Sequence, residues 1–269
     1  MLTILVKGRG WSDSPADLDH DIRLFMSAIL MALASSTLAW TGKDGFSIVG
    51  YSLGGGISAA FTSYFPEMIE SIVLIAPAGL IREKHLSTMN KLVYARTLLF
   101  EPVSLWITGR RLRKPVAVMK AGAQQNQPEP GEDIGLKDAV QAEVTVQTPQ
   151  KPVLSRTYPH VSLENAVNFQ IDHHPGYVKA VLSSLRYAPI LRQHERWRKI
   201  GAYLEKTKRE ALLILGSRDP IINFDETRED VTDVLGGRVK LAVLQTGHET
   251  CVAQGVECAE HIWTFWKQE

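Results

Sequence analysis

The sequence predicts an α/β fold with a mostly parallel sheet, and the pattern of its short apolar runs is the main reason. Four runs of strand length are each followed by a segment able to form a helix; they cover residues 46–49, 71–77, 211–216 and 240–244. Strands that alternate with helices form βαβ units, in which the strands are parallel and buried on both faces. Residues 82–206 contain no convincing buried strand, so the sheet pattern stops there and later resumes.

Length, charge and cysteine content restrict the function further. The chain has 269 residues, enough for one large α/β domain or two small ones. A net charge of +1 gives no electrostatic reason to expect nucleic acid or an acidic membrane as a partner.

Cys251 and Cys258 form no Cys/His cluster, so no metal is expected. They lie about two turns apart on one expected helix, too far for a disulfide, and a reducing, cytoplasmic location fits best.

The first forty residues predict a strand, a turn and a helix. Residues 2–6 have the pattern of a short buried strand, and they are too short and too soon interrupted to be a secretory signal. Residues 8–15 have turn chemistry, and their Gly-x-Gly lacks the third glycine of a dinucleotide site. Residues 19–40 are expected to form a helix. Its uncharged run falls short of a comfortable membrane span, so we expect a buried helix and no membrane span.

The segment Gly50–Gly54 reads Gly-Tyr-Ser-Leu-Gly and joins the strand at 46–49 to a helix that ends near Pro66. A Gly-x-Ser-x-Gly sequence between a strand and a helix places its serine at the tip of a sharp turn, the nucleophile elbow. A Cβ at either glycine is expected to clash where strand and helix approach, and the serine backbone is expected to be strained. The motif alone is a weak signal, but its position between strand and helix makes Ser52 the candidate nucleophile.

The region 82–206 is expected to be an inserted, mostly helical cap within a single domain that spans residues 1–269. Its polar stretch at 124–152, rich in Gln, Glu and Pro, is expected to be a mobile loop. After the cap, each of the two remaining strands is followed by a helix, at 225–235 and 250–266. Helical pieces within the cap are predicted at residues 86–99, 163–169, 177–187 and 191–206.

A serine hydroxyl is a poor nucleophile at neutral pH, so it needs a general base, and the base needs an acid to orient it. In a parallel sheet, functional groups collect beyond the carboxyl ends of the strands. Asp219 follows the strand at 211–216, and His248 follows the strand at 240–244. Of the eight histidines, only His248 is at a strand end. Asp225 is the alternative acid, although it lies where a helix N-cap is expected. A turn-forming role for the aspartate and a packing role for the histidine are the structural alternatives.

These three residues occur in the order Ser, Asp, His, and each follows its own strand. Together with residues 8–12 and 74–77, they make the chain resemble the α/β-hydrolase superfamily, in the branch with a helical cap before the acid-bearing strand. The resemblance covers the chain from end to end, although the cap is matched only in type. It implies the catalytic residues Ser52, Asp219 and His248.

The resemblance also implies an eight-stranded, mostly parallel sheet and a reaction. An acyl-enzyme forms on Ser52 and is hydrolysed by water that His248 activates, with the Leu53 N–H as one oxyanion-hole donor and no cofactor. A serine nucleophile implies hydrolysis of an ester, thioester, lactone, amide or carbon–carbon bond in a small-molecule substrate that is fairly apolar. Acyl transfer by the same residues is an alternative. Five cap aromatics are candidate pocket residues: Trp106, Phe169, Tyr177, Tyr187 and Trp197.

The N-terminal region of the chain differs from the family pattern. Only 51 residues precede Ser52, whereas the family has roughly a hundred, with early strands and a loop that supplies the other oxyanion-hole N–H. We therefore expect the hydrolase sheet to be N-terminally truncated, and we favour an incomplete gene model. The alternatives are a catalytically weak or inactive chain that binds a ligand, or a second chain, as in a homo-oligomer, that covers the exposed sheet edge.

Overall fold

The fold is defined by a computed structural model, and the structure describes most of the chain. The predicted helix at 86–99 and the polar stretch at 124–152 lie outside the described residues. The described residues are 2–4, 7–14, 17–40, 45–82, 84, 101–113, 154–155 and 157–268.

Four parallel strands form the sheet in the described part of the chain, and their order in the sheet is their order along the chain. Tyr51 lies opposite Ile75, and Ile75 lies opposite Ile214. At the next pair, Gly216 lies opposite Leu244. The carboxyl ends of the strands are therefore level with one another. The predicted parallel α/β architecture is confirmed. The strands are β1 (Phe46–Tyr51), β2 (Ile69–Ile75), β3 (Ala211–Gly216) and β4 (Val239–Leu244).

Three of the described helices begin at a residue whose side chain accepts a hydrogen bond from the first turn. Asp21 caps the first helix by accepting from Leu24 N, so the predicted helix at 19–40 begins later. Ser162 and Asn223 cap two other helices in the same way. A 3₁₀ turn covers Pro66–Met68. The helices are α1 (Ile22–Ser35), α2 (Leu53–Tyr64), α3 (Glu101–Leu112), α4 (Leu163–His173), α5 (Tyr177–Tyr187), α6 (His194–Thr207), α7 (Phe224–Leu235), α8 (Thr250–Ala253) and α9 (Gly255–Trp266).

Among the described helices, none is both long and apolar enough to cross a membrane. The uncharged run that raised this question contributes to α1, which has 14 residues and buries Phe25 and Met26. Its apolar side chains pack beside α2 in the largest hydrophobic cluster of the described residues, the main core, which also contains Ile72 and Leu213.

The predicted strand at residues 2–6 is wrong for the part that the structure describes. Leu2 to Ile4 form no regular structure, and the two apolar side chains are 39% and 40% exposed. A strand is stabilised by hydrogen bonds to a neighbouring strand. In the described part of the chain, β1 pairs only with β2. Apolar composition therefore did not produce a strand, because none of the described strands pairs with these residues.

Helices cover both faces of the sheet. On one face, α1, α2, α6 and α7 pack against side chains such as Ile72 and Leu213. On the other face, α9 packs through Phe265 against Val73 and Ile214. The central strands β2 and β3 are consequently almost fully buried, whereas the outer strands are more exposed, with one buried residue in β1 and two in β4.

Three helices of the predicted cap have a hydrophobic cluster of their own. α3, α4 and α5 pack around Leu112, Val167 and Leu182. In contrast, α6 packs on α2 and α7 in the layer that covers the sheet, with Trp197 and Ile200 buried in the main core. The cap range of 82–206 stays a prediction, and its last helix contributes to the core of the sheet.

The candidate pocket aromatics of the cap differ in environment. Tyr177 and Trp197 are 4% and 1% exposed and pack inside the two hydrophobic clusters, so they serve packing. Trp106 and Phe169 are more than half exposed, and Tyr187 is partly buried. Trp106 lies under the guanidinium of Arg110 at 5.5 Å.

The final helical segment is broken, which changes the relation between the two cysteines. Gln254 (φ −131°, ψ 51°) separates α8 from α9, whereas the sequence predicted one continuous helix. Both thiols are free. Cys258 and Cys251 pack in the same hydrophobic cluster, and the interaction with Cys258, followed by burial, raises the pKa of Cys251. The expectation that both cysteines lie on one helix is wrong, because Cys251 is in α8 and Cys258 is in α9.

Candidate active site

Ser52 lies at the sharp turn between β1 and α2, with φ 51° and ψ −120°. This is a strained conformation for a residue with a side chain. A Cβ at Gly50 would lie 2.4 Å from the carbonyl oxygen of Gly54, so the turn requires glycine at position 50. At Gly54, no described atom lies within 4 Å of the corresponding position. The expected clash is therefore present at the first glycine of the motif and absent at the second.

Hydrogen bonds tie the turn to the end of β2. The N–H of Ser52 donates to the carbonyl of Ile75 at 3.0 Å, and the N–H of Ala78 donates to the carbonyl of Ser52 at 2.9 Å. A Cβ at Gly55 would lie 2.6 Å from Cβ of Pro77, so α2 can approach this loop only with glycine there. The backbone around Ser52 is thus fixed from both sides of the turn.

His248 lies in the loop that follows β4, and this loop is packed against the end of β3. A Cβ at Gly216 would lie 2.5 Å from the carbonyl oxygen of Gly247. The Thr250 hydroxyl donates to that same carbonyl at 3.0 Å, and Arg218 N donates to the carbonyl of Thr246 at 3.0 Å. These contacts order the backbone on both sides of the histidine.

The structure brings together the three residues that the sequence predicted. Ser52 Oγ lies 2.8 Å from His248 Nε2, and His248 Nδ1 lies 2.7 Å from Asp219 Oδ2. The other carboxylate oxygen accepts from the N–H groups of Ile221 and Ile222, at 2.8 and 2.9 Å. The side chains of Asp219 and His248 are 0% and 1% exposed.

This geometry assigns a direction to each hydrogen bond. A carboxylate can only accept, so the histidine donates from Nδ1, and Nε2 of the neutral ring is left to accept from the serine hydroxyl. A buried carboxylate in this position orients the ring and stabilises the imidazolium form. The arrangement is able to activate the hydroxyl of Ser52 as a nucleophile.

The model of the alpha/beta hydrolase fold family matches residues 6–252. The chain belongs to the α/β-hydrolase fold family. No curated protein sequence matches it.

Solved structures share this α/β-hydrolase fold at low sequence identity. A bacterial membrane phospholipase A aligns with a TM-score of 0.61 at 20% identity, covering 98% of this chain and 68% of that chain. The enol-lactonase from Burkholderia xenovorans LB400 aligns with a TM-score of 0.61 at 14% identity, covering 97% and 78%. A meta-cleavage product hydrolase from Pseudomonas fluorescens IP01 aligns with a TM-score of 0.56 at 15% identity, covering 98% and 78%. At these identities the likeness shows the fold alone.

Within the α/β-hydrolase site, Leu53 is the first residue of α2, directly after the serine. The N–H groups in the first turn of a helix have no acceptor within the helix, and the helix dipole favours negative charge there. An oxyanion-hole donor beside the nucleophile needs a backbone N–H of this kind. The role of the Leu53 N–H as an oxyanion-hole donor stays a prediction.

The alternative acid, Asp225, lies at the surface. It is in the first turn of α7, its side chain is 81% exposed, and it lies 3.6 Å from Arg228. The cap of this helix is Asn223, two residues earlier than the sequence analysis placed it. Asp219 is the carboxylate that the structure places on His248.

The sequence analysis missed one residue at the site, Tyr51. Its hydroxyl donates to the carbonyl oxygen of His248 at 2.7 Å, and the two rings have centroids 5.5 Å apart. Tyr51 occupies a variable position of the Gly-x-Ser-x-Gly motif. No spacing rule points to this contact, because it links the end of β1 to a loop that follows β4.

Among the described residues, no group of three or more His, Cys, Asp or Glu side chains could hold a metal ion. In the cap, Asp172 forms an ion pair with Arg113, and this hydrogen bond lowers the pKa of the carboxyl. The ring nitrogens of the nearby His174 lie 3.0 Å from the carbonyl oxygens of Ser12 and Pro175.

Proposed function

We propose that this chain is a serine hydrolase that cleaves a small, fairly apolar ester-like substrate through an acyl-enzyme on Ser52. The observation that carries the proposal is the chain of hydrogen bonds from Ser52 to His248 to Asp219, at 2.8 and 2.7 Å. Membership of the α/β-hydrolase fold family supports it.

In the first half of the reaction, Ser52 Oγ attacks the carbonyl carbon of the substrate while its proton passes to His248 Nε2. The negative charge that develops on the carbonyl oxygen is stabilised by the N–H of Leu53. The intermediate collapses, the bond to the alcohol breaks, and the alcohol leaves with the proton from the imidazolium. The acyl group remains on Ser52.

In the second half, a water molecule attacks the acyl carbon and gives its proton to His248. The second tetrahedral intermediate collapses, the bond to Ser52 Oγ breaks, and the serine recovers its proton from the ring. Asp219 remains ionised throughout and stabilises the imidazolium in both halves. The products are an alcohol and a carboxylic acid.

A fluorophosphonate probe tests the proposal, because it forms a covalent bond only with an activated serine. Wild-type protein is expected to label, and Ser52→Ala is expected not to. Ser63→Ala is a matched control in the helix that follows Ser52, since its hydroxyl donates to the Ala60 carbonyl within α2. Folded wild-type protein that never labels would contradict the proposal and favour a non-catalytic, ligand-binding chain.

The substrate range needs a second assay on the protein that labels. Nitrophenyl esters of increasing acyl length, a lactone and a thioester are compared by kcat/KM, with the highest value expected for a short, apolar acyl group. Similarity in fold to an enol-lactonase and a phospholipase supports testing both small and lipid-like carbonyl substrates. Adding an alcohol to the reaction separates hydrolysis from acyl transfer, because transfer yields a new ester instead of the free acid.

A further inference from the structure

The contact of Tyr51 with His248 links the two ends of the candidate active site. The phenol hydroxyl donates to the backbone carbonyl oxygen of His248 at 2.7 Å. The Tyr51 ring also lies against the imidazole, at a centroid distance of 5.5 Å and an interplanar angle of 31°. Tyr51 is the residue before Ser52, so the same short segment carries the nucleophile and holds the base.

The sheet explains why a long side chain is needed for this contact. Neighbouring strands are about 4.8 Å apart, so β1 and β4 are separated by about 14 Å. Ser52 follows β1 and His248 follows β4, with the ends of β2 and β3 between them. The loop after β4 must lean over two strand ends to bring the ring to the serine. Tyr51 reaches toward this loop from β1 and binds its backbone.

We propose that Tyr51 is a positioning residue that fixes His248 within hydrogen-bond distance of Ser52, an inference that rests on the proposed function. The hydroxyl binds the peptide carbonyl, so its effect does not depend on the protonation state of the imidazole. Asp219 sets the direction of the ring through Nδ1. Tyr51 sets the position of the backbone from which the ring extends.

Tyr51→Phe separates this role from simple packing, because it keeps the ring against the imidazole and removes the hydroxyl that donates to the His248 carbonyl. One neutral hydrogen bond contributes about 0.5–1.5 kcal/mol, which corresponds to a rate loss of up to about tenfold. We expect the rate constant for fluorophosphonate labelling to fall by about that factor. With an ester substrate, kcat should fall by a similar factor while KM stays unchanged, because substrate binding is not altered.

Tyr64→Phe is the matched control. Tyr64 is at the end of α2, and its hydroxyl accepts a hydrogen bond from Arg196 at 3.1 Å. The control variant also loses one tyrosine hydroxyl and one hydrogen bond, but at a surface position. We expect its labelling rate to equal that of the wild type, with little change in Tm because Tyr64 is 50% exposed.

A double-mutant cycle with Asp219→Asn sharpens the test. Both residues act on the placement of one ring, so Tyr51→Phe should cost less in the Asp219→Asn background than in the wild type. Independent, additive losses would contradict positioning through His248.

The remaining outcomes each decide one proposal. Equal labelling by wild type and Tyr51→Phe would overturn the positioning role and leave the hydrolase proposal standing. A Tyr51→Phe protein that is unfolded at the assay temperature would overturn it too, because the hydroxyl would then serve the fold. Wild-type protein that does not label would instead contradict the hydrolase proposal itself.

Discussion

The loop after β4 and the segment before α1 each bury one histidine to 1% exposure, but they place it in different surroundings. Both ring nitrogens of His248 have partners, the hydroxyl of Ser52 and the carboxylate of Asp219. Neither ring nitrogen of His20 makes a hydrogen bond of normal geometry among the described residues. Burial, and then the positive charge of Arg9, lower the pKa of His20.

The difference teaches that burial of a titratable side chain does not by itself indicate a reactive group. His20 is held through its backbone N–H, which donates to Ser183 Oγ at 2.9 Å, and its ring packs edge-on against Phe25. That is a packing role. His248 is instead placed between a group that can give a proton and a group that stabilises the charged ring.

Replacing each histidine is the direct way to break this comparison, and the largest effect is expected at His248. His248→Ala removes the base, so labelling by fluorophosphonate should fall by as much as about 10⁶-fold. His20→Phe keeps an aromatic ring at this buried position and should label at nearly the wild-type rate. A loss of labelling in His20→Phe with an unchanged Tm would show that the packing assignment is wrong.

The second largest effect is expected when the carboxylate of Asp219 is replaced. Asp219→Asn leaves the shape of the side chain but can hold the histidine in the wrong tautomer, so kcat should fall by about 10⁴-fold. Asp225→Asn is the matched control, since it makes the same change on an exposed side chain six residues along the chain. Comparable losses in both variants would contradict the assignment of Asp219 as the orienting acid.

Substitutions at the two glycines of the turn test the backbone geometry of the site without changing any of its reacting groups. Gly50→Ala places a methyl group 2.4 Å from a carbonyl oxygen, and overpacking of this kind costs about 1–3 kcal/mol of the free energy of unfolding. Gly54→Ala meets no described atom within 4 Å and lies in a helix, so it should be neutral or stabilising by up to about 1 kcal/mol. Urea unfolding measures both. Equal destabilisation would show that the turn does not depend on position 50 in particular.

The smallest effect is the pH dependence of stability at His20. Its pKa is lower in the folded protein than the ordinary value of 6.5, so the unfolded chain binds a proton more readily. The contribution of neutral His20 to the free energy of unfolding is therefore fully present above pH 6.5, and it is lost as the pH falls below that value. The Tm should drop between about pH 8 and about pH 5, and it should drop less in His20→Phe. If Tm depends on pH in the same way in the wild type and in His20→Phe, His20 is not the cause of the pH dependence.

The sequence was sufficient for those parts of the site that depend on strand ends. Ser52, Asp219 and His248 each follow a strand, and parallel pairing makes those ends converge, so their proximity could be predicted without coordinates. The contact of Tyr51 with the His248 carbonyl could not, because it depends on how one loop leans over the sheet.

The features that the sequence did not predict correctly are tertiary. Leu2 to Ile4 have the composition of a strand, but a strand also needs a neighbour in the right place. The break at Gln254 is in a segment with continuous helical character, and no glycine or proline occupies the break itself. The open space at Gly54 could not be read from a motif that treats both of its glycines alike.

The pairing of β2 with β3 has a consequence for how the molecule folds. Ile72 lies opposite Ala211, so this single ladder joins the chain before the cap to the chain after it. Ser52 and His248 are 196 positions apart. Their hydrogen bond can form only after the two ends of the chain segment between them have come together. The entropy of loop closure grows only with the logarithm of length, by about 0.6 kcal/mol for each doubling. The reactive groups should therefore assemble late, and their assembly should tolerate large changes in the length of the segment between them.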